Sequence, residues 1–163
     1  MIICTFEDRG KSSLRHVVVG CLVLSKSKDR ILLIKRALNV SSRPNKYAFP
    51  GGYMDRDEDT KQTALRELKE ETGYEGRIIE LFRIKDNPDR PHEDRQNVDF
   101  IYLVEVLNKV GEHDDEIAEV KWFGLNQVPL ESEWAFDHFE DLQLYKKHQK
   151  KPFNLPIIGK NRL

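Results

Sequence analysis

The 163-residue chain sets 27 lysines and arginines against 28 aspartates and glutamates, a formal net charge of −1, with 39% hydrophobic residues. The near balance gives no global attraction to nucleic acid or to an anionic membrane, and the length suits one domain over 1–163 with a core that needs no staples. Cys4 and Cys21 form neither a disulfide framework nor a metal-ligand spacing, so both read as reduced thiols.

The opening stretch MIICTFEDRG lacks the basic flank and sustained apolar run of a signal peptide, and no segment approaches a membrane-spanning length. Cytoplasmic residence is the expectation. Residues 17–24 are β-branched and apolar, 25–30 are polar, and 31–35 are apolar again, a pattern that predicts a hairpin. Residues 46–49 add a short strand running into Pro50-Gly51-Gly52, a turn where backbone can approach a ligand without Cβ obstruction.

A helix is predicted over 60–72, with Asp57, Glu58 and Asp59 at its positive end and Gly73 at the left-handed position that stops it. Residues 76–84 read as a strand, and 86–96 as a polar loop long enough to be functional. Strands follow at 98–106 and 120–123, and Phe136, Phe139 and Leu142 carry helical spacing over 136–145. The basic run Lys146, Lys147, His148, Lys150, Lys151 suits cations at a helix C-terminus better than a partner surface.

Chemistry concentrates in residues 52–74, GYMDRDEDTKQTALRELKEETGY. On the predicted helix Glu67, Glu70 and Glu71 stand at i, i+3 and i+4 and crowd one side. Ala64, Leu65, Leu68 and Thr72 fall on another stripe, roughly 120° around the axis. Three close carboxylates raise one another's pKa unless a cation sits among them, and all-oxygen ligation suits a hard ion such as magnesium or manganese. A solvated helix with pairs such as Arg66 and Glu70 would account for neither the glycines nor Glu58 at their offsets.

Gly52, Glu58, Arg66, Glu67, Glu70, Glu71 and Gly73 together resemble the Nudix box of a large family of pyrophosphohydrolases. Tyr74, where the family usually has an aliphatic residue, is the one departure. The resemblance implies an α/β/α sandwich around a mixed β-sheet, which the element order also fits. It implies Mg2+ or Mn2+ on Glu67, Glu70, Glu71 and the Gly51 carbonyl, with Arg66 orienting the glutamates and Glu58 structural. Within the family the general base is variable. The acidic stretch at 113–119 resembles the later loop that can supply it, with Glu116 favoured and Glu119 second, beside a base in the box itself.

The proline-bearing stretch from Asp86 through Arg90 and Pro91, with Arg95 beyond, resembles the loop after the box in ADP-ribose pyrophosphatases. The segment from Trp134 to His138 resembles a late segment of the same subgroup. Arg36, Arg43, Arg90 and Arg95 are candidate phosphate or ribose contacts, since guanidinium pairs with phosphate bidentately, and Tyr47 is a candidate stacking residue before the turn. The expected activity is hydrolysis of ADP-ribose or a related nucleotide sugar to nucleoside monophosphate and sugar phosphate. The alternatives are a nucleoside triphosphate or dinucleoside polyphosphate hydrolase, and a non-catalytic ADP-ribose sensor. A small-molecule nucleotide is the expected partner, with no nucleic acid and no membrane, and the resemblance implies a homodimer.

Overall fold

The computed structural model describes residues 2–88 and 97–159. In chain order the elements are β1 (Ile2–Thr5), β2 (Lys11–Leu14), β3 (Val17–Leu24), β4 (Arg30–Arg36), β5 (Tyr47–Ala48), β6 (Gly51–Tyr53), α1 (Thr60–Thr72), β7 (Tyr74–Lys85), β8 (Val98–Lys109), β9 (Ile117–Gly124), α2 (His138–Lys150) and β10 (Ile157–Ile158). The first two strands form a separate antiparallel pair, and the other eight form one mixed sheet.

β3 organises that sheet. It runs parallel to β8 from Val17 opposite Val98 to Leu24 opposite Glu105, and antiparallel to both β4 and β6. β9 lies against β4, and on the other side β7 runs antiparallel to β8, with β10 parallel to β7 at the edge. The parallel β3–β8 pairing leaves side chains buried on both faces, which explains the near-continuous apolar run over 17–24.

Alternation along the strands divides the core in two. Val19, Cys21 and Val23 of β3 and Leu32 of β4 pack with Ala64 and Leu68 of α1. Leu22, Leu24, Ile31 and Leu33 point the other way and pack with Leu142 and Tyr145 of α2. Each buried valine, leucine or isoleucine among them contributes about 1.5–3 kcal/mol. The result is the expected helix, sheet, helix sandwich.

A buried ionic network fastens α2 to β7. Lys85 Nζ lies 2.7 Å from Asp137 Oδ1, 2.7 Å from Asp141 Oδ2 and 3.2 Å from Asp99 Oδ2. Arg83 reaches Asp141 at 2.7 Å and Glu140 at 3.1 Å. Burial pushes the Asp141 carboxyl up, with Lys85 the strongest opposing influence. Charges this deep are tolerated only in mutual contact, because removing one partner strands the others.

Four local expectations need correction. Leu65 is exposed rather than packed, because α1 turns Ala64, Leu68 and Thr72 to the sheet. Phe136 lies before α2, in a left-handed conformation with φ 55°, so the helical spacing of Phe136, Phe139 and Leu142 extends past the helix itself. The strands β7, β8 and β9 run longer than predicted, to Lys85, Lys109 and Gly124. Strands β1, β2, β6 and β10 were not anticipated, being two to four residues long with little alternation. Both cysteines are free, and among the described residues no helix is long and apolar enough to cross a membrane.

Candidate active site

The site is built where β6 meets α1. Asp59 caps the helix, its Oδ1 accepting from the backbone N–H groups of Lys61 and Gln62 at 2.9 Å each, while Gln62 Oε1 accepts from the Asp59 N–H at 2.8 Å. This reciprocal box satisfies donors that a helix start leaves unpaired. Gly73 ends the helix at φ 70°. With both ends fixed, Arg66, Glu67, Glu70 and Glu71 are fixed too.

The glycines before α1 are required by space. A Cβ on Gly51 would collide with the Val19 carbonyl across the β3–β6 pair, and one on Gly52 would collide with the Glu67 carboxylate. Glu71 is buried, and its Oε2 accepts from the Gly51 N–H at 2.7 Å. The turn and the helix are therefore joined through a carboxylate.

Arg66 sits among the acids. Its Nε and Nη2 form a fork on Glu58, at 2.6 and 3.0 Å, and its Nη1 donates to Glu67 Oε1 at 2.8 Å and Glu70 Oε2 at 2.9 Å. Nη2 also donates to the Tyr53 carbonyl at 3.1 Å. The Arg66 hydrogen bond holds the Glu58 carboxyl down at about 2. Burial pushes Glu67 up against the opposing pull of Arg66, and burial pushes Glu71 well above the carboxylate range, with the Glu67 charge adding to the rise.

These carboxylates open on a cavity of about 690 Å³. Arg36, Glu116, Asp114, Asn97, Asp99, Phe136 and His138 also line it. Of the residues expected from the sequence, Arg66, the three glutamates, Gly51, Arg36 and Glu116 are brought together. Arg36, at the end of β4, donates from Nε to the Ser42 carbonyl at 2.9 Å. Arg43 is exposed on the loop after β4 and does not line the cavity. Arg90 and Arg95 lie outside the described residues.

Glu116 is exposed at the rim, its N–H donating to Asp114 Oδ1 at 3.1 Å. Glu119 faces elsewhere on β9, accepting from the Tyr47 hydroxyl at 3.3 Å; neither it nor Tyr47 lines the cavity. Asp114, Asn97, Asp99, Phe136 and His138 were missed as site residues. Asp114 stood within the acidic stretch, but nothing in that run tells which carboxylates face inward.

Among the described residues no three histidine, cysteine or acidic side chains are already gathered closely enough to hold a metal. The donor set nevertheless fits a hard divalent ion. Glu67 and Glu70 each spend one oxygen on Arg66, and Glu71 spends one on Gly51, so each has a second oxygen outside those bonds. The raised Glu67 and Glu71 carboxyls mark a place where negative charge is under-compensated. A cation would relieve it.

The sequence model of the NUDIX domain matches residues 14–144. The chain belongs to the Nudix family. This Nudix hydrolase is similar to the ADP-ribose pyrophosphatase of Methanocaldococcus jannaschii, 29% identical over 134 residues, which are 81% of this chain and 75% of that protein. It is also similar to the mouse (Mus musculus) diphosphoinositol polyphosphate phosphohydrolase 2, 30% identical over 109 residues, 64% of this chain; the chain spans only 55% of that relative's length. Among solved structures, a NUDIX hydrolase from Nitrosomonas europaea superposes with a TM-score of 0.71 at 27% identity, over 93% of this chain and 84% of that one. Nudix hydrolases generally use divalent metals and act on small-molecule nucleotide substrates.

Proposed function

We propose that this Nudix hydrolase is a single-domain, divalent-metal-dependent pyrophosphohydrolase. Its substrate in this reading is a nucleoside diphosphate linked to another moiety, ADP-ribose or a related nucleotide sugar. The products are a nucleoside monophosphate and a sugar phosphate. The observation that carries the reading is the Arg66-braced set of glutamates opening on a cavity of about 690 Å³, ample for such a molecule. The archaeal relative named an ADP-ribose pyrophosphatase supports the choice of substrate.

Glu67, Glu70, Glu71 and the Gly51 carbonyl would hold Mg2+ or Mn2+. Bound there, the ion supplies neutralisation of the diphosphate charge and a lowered pKa for water. Arg66 keeps Glu67 and Glu70 in register, an orienting role on which ligand geometry depends. Glu58, fixed by Arg66 and Thr63, anchors Arg66 itself. Glu116 accepts the proton of the attacking water, and Asp114 positions the Glu116 backbone. Arg36 meets the phosphates; Arg90 and Arg95, outside the described residues, are the remaining substrate contacts in this reading.

A diphosphoinositol polyphosphate is the second reading, favoured by the mouse relative. The described lining counts against it, since Arg36 and Arg66 face seven carboxylates there. A panel with product identification separates these readings: ADP-ribose, other nucleotide sugars, diadenosine polyphosphates, nucleoside triphosphates and a diphosphoinositol polyphosphate. The highest kcat/KM is expected for ADP-ribose. Preference for triphosphates or for the inositol compound would end the ADP-ribose reading and leave the hydrolase.

A further inference from the structure

Phe136 is an aromatic residue held in an unfavourable backbone conformation while every neighbour in sequence is anchored. Trp134 packs edge-on against Phe49 at 5.8 Å and donates from Nε1 to the Pro129 carbonyl at 3.1 Å. The Ala135 N–H donates to the Tyr47 carbonyl at 2.8 Å. Asp137 is paired with Lys85 at 2.7 Å. His138 stacks on Phe49 at 4.8 Å with 7° between the rings, and its Nδ1 accepts from the Phe49 N–H at 3.0 Å.

Between these fixed points Phe136 adopts φ 55°, a region large L side chains rarely occupy. Trp134, Ala135 and His138 are buried, whereas Phe136 is 36% exposed and lines the cavity that holds the glutamates. Backbone strain that the surroundings over-determine is a feature of ligand sites. Here its effect is to show an apolar ring to a strongly charged cavity that Val18, Val19 and Tyr53 also line. The Arg36 guanidinium carbon lies 5.7 Å from that ring's centroid. Asn97 also lines the cavity, and its buried Oδ1 has no hydrogen-bond partner among the described residues.

We propose that Phe136 is a specificity-determining residue whose ring stacks the planar base of the substrate nucleotide. The inference rests on the nucleotide-sugar reading above and deepens it by naming what recognises the nucleoside half. A base has a π-face for Phe136. A diphosphoinositol polyphosphate offers no planar ring. Phe136 would therefore favour the nucleotide class over the inositol class.

The test uses the full chain, in wild-type form and as Phe136→Ala, Phe136→Tyr and Phe136→Gly. Binding of AMP and of ribose 5-phosphate is measured by calorimetry, with KM and kcat for ADP-ribose alongside. Removing the stacking ring should weaken AMP binding and raise KM about tenfold or more, leave ribose 5-phosphate binding unchanged, and alter kcat little. Tyrosine should restore AMP binding. Glycine should bind as weakly as alanine while melting no lower than wild type, since it relieves the positive φ. Equal weakening of AMP and ribose 5-phosphate, or a fall in kcat with KM unchanged, would assign Phe136 to packing and overturn the inference. A wild type that turns over no nucleotide overturns the nucleotide-sugar reading first, and this inference with it.

Discussion

Glu71 meets two opposed demands: it is packed into the junction of β6 and α1, yet its neighbours Glu67 and Asp114 are acidic. Folded and metal-free, Glu67 and Glu71 hold protons above the ordinary carboxylate value of 4.5 that the unfolded chain has released. Stability from these two groups is therefore full below 4.5 and is lost as pH rises through their raised values. Glu58 behaves oppositely. Held at about 2 against 4.5, it adds stability that is present above 4.5 and lost as pH falls toward 2. Glu71→Gln keeps an oxygen for the Gly51 N–H but removes the charge. Its turnover should fall at least about a hundredfold, while its metal-free melting temperature rises at mildly alkaline pH and declines less steeply with pH than wild type. Calorimetric melts across neutral pH, paired with turnover assays, check both. Near-normal turnover would put the metal elsewhere, and a lower melting temperature would show that ionising the buried Glu71 carboxyl does not destabilise the metal-free fold.

At the scale of elements, two glycines around α1 carry different burdens. At Gly73, φ is 70° and a Cβ would meet the Gly111 carbonyl, so Gly73→Ala should cost about 1–3 kcal/mol of stability. At Gly52 a Cβ meets the flexible end of Glu67, so Gly52→Ala should cut turnover by about tenfold or more while the melting temperature barely moves. Equal loss of stability in both variants would refute that division. β3, β4, β8 and α1 were legible because apolar runs and period-3.6 spacing report burial directly. Gly73 was legible as the helix stop from its residue type, whereas the structure picks Asp59 as the cap from the three acids at the helix start. β6 was not, since Gly51-Gly52-Tyr53 carries no alternation and pairs only because β3 lies beside it. The Phe136 misreading has a tertiary cause: Tyr47 and Lys85 fix residues on either side, and no local pattern records them.

Across the whole molecule the sheet separates two tasks. On one face α1 presents the acids of the site over β6 and β3; on the other, α2 is fastened by Arg83 and Lys85 of β7. The segment leading into α2 comes back to the cavity through Phe136 and His138, so both helical layers reach it. The clustering of Glu67, Glu70 and Glu71 was readable from spacing, because one helix carries them all, whereas the place of Arg66 among them came only with the resemblance. Asn97, Asp99, Asp114, Phe136 and His138 come from three other parts of the chain, and only folding brings them together. The most direct measurement is hydrolysis of ADP-ribose in ¹⁸O-water, with Mg2+ or with excess chelator, and mass spectrometry of the products. With the ion, AMP and ribose 5-phosphate should form in equal amounts, one of them carrying a single labelled phosphate oxygen, and with chelator turnover should cease. Undiminished hydrolysis in verified absence of metal, or products from any bond other than the diphosphate, would contradict a metal-dependent pyrophosphohydrolase built on these glutamates.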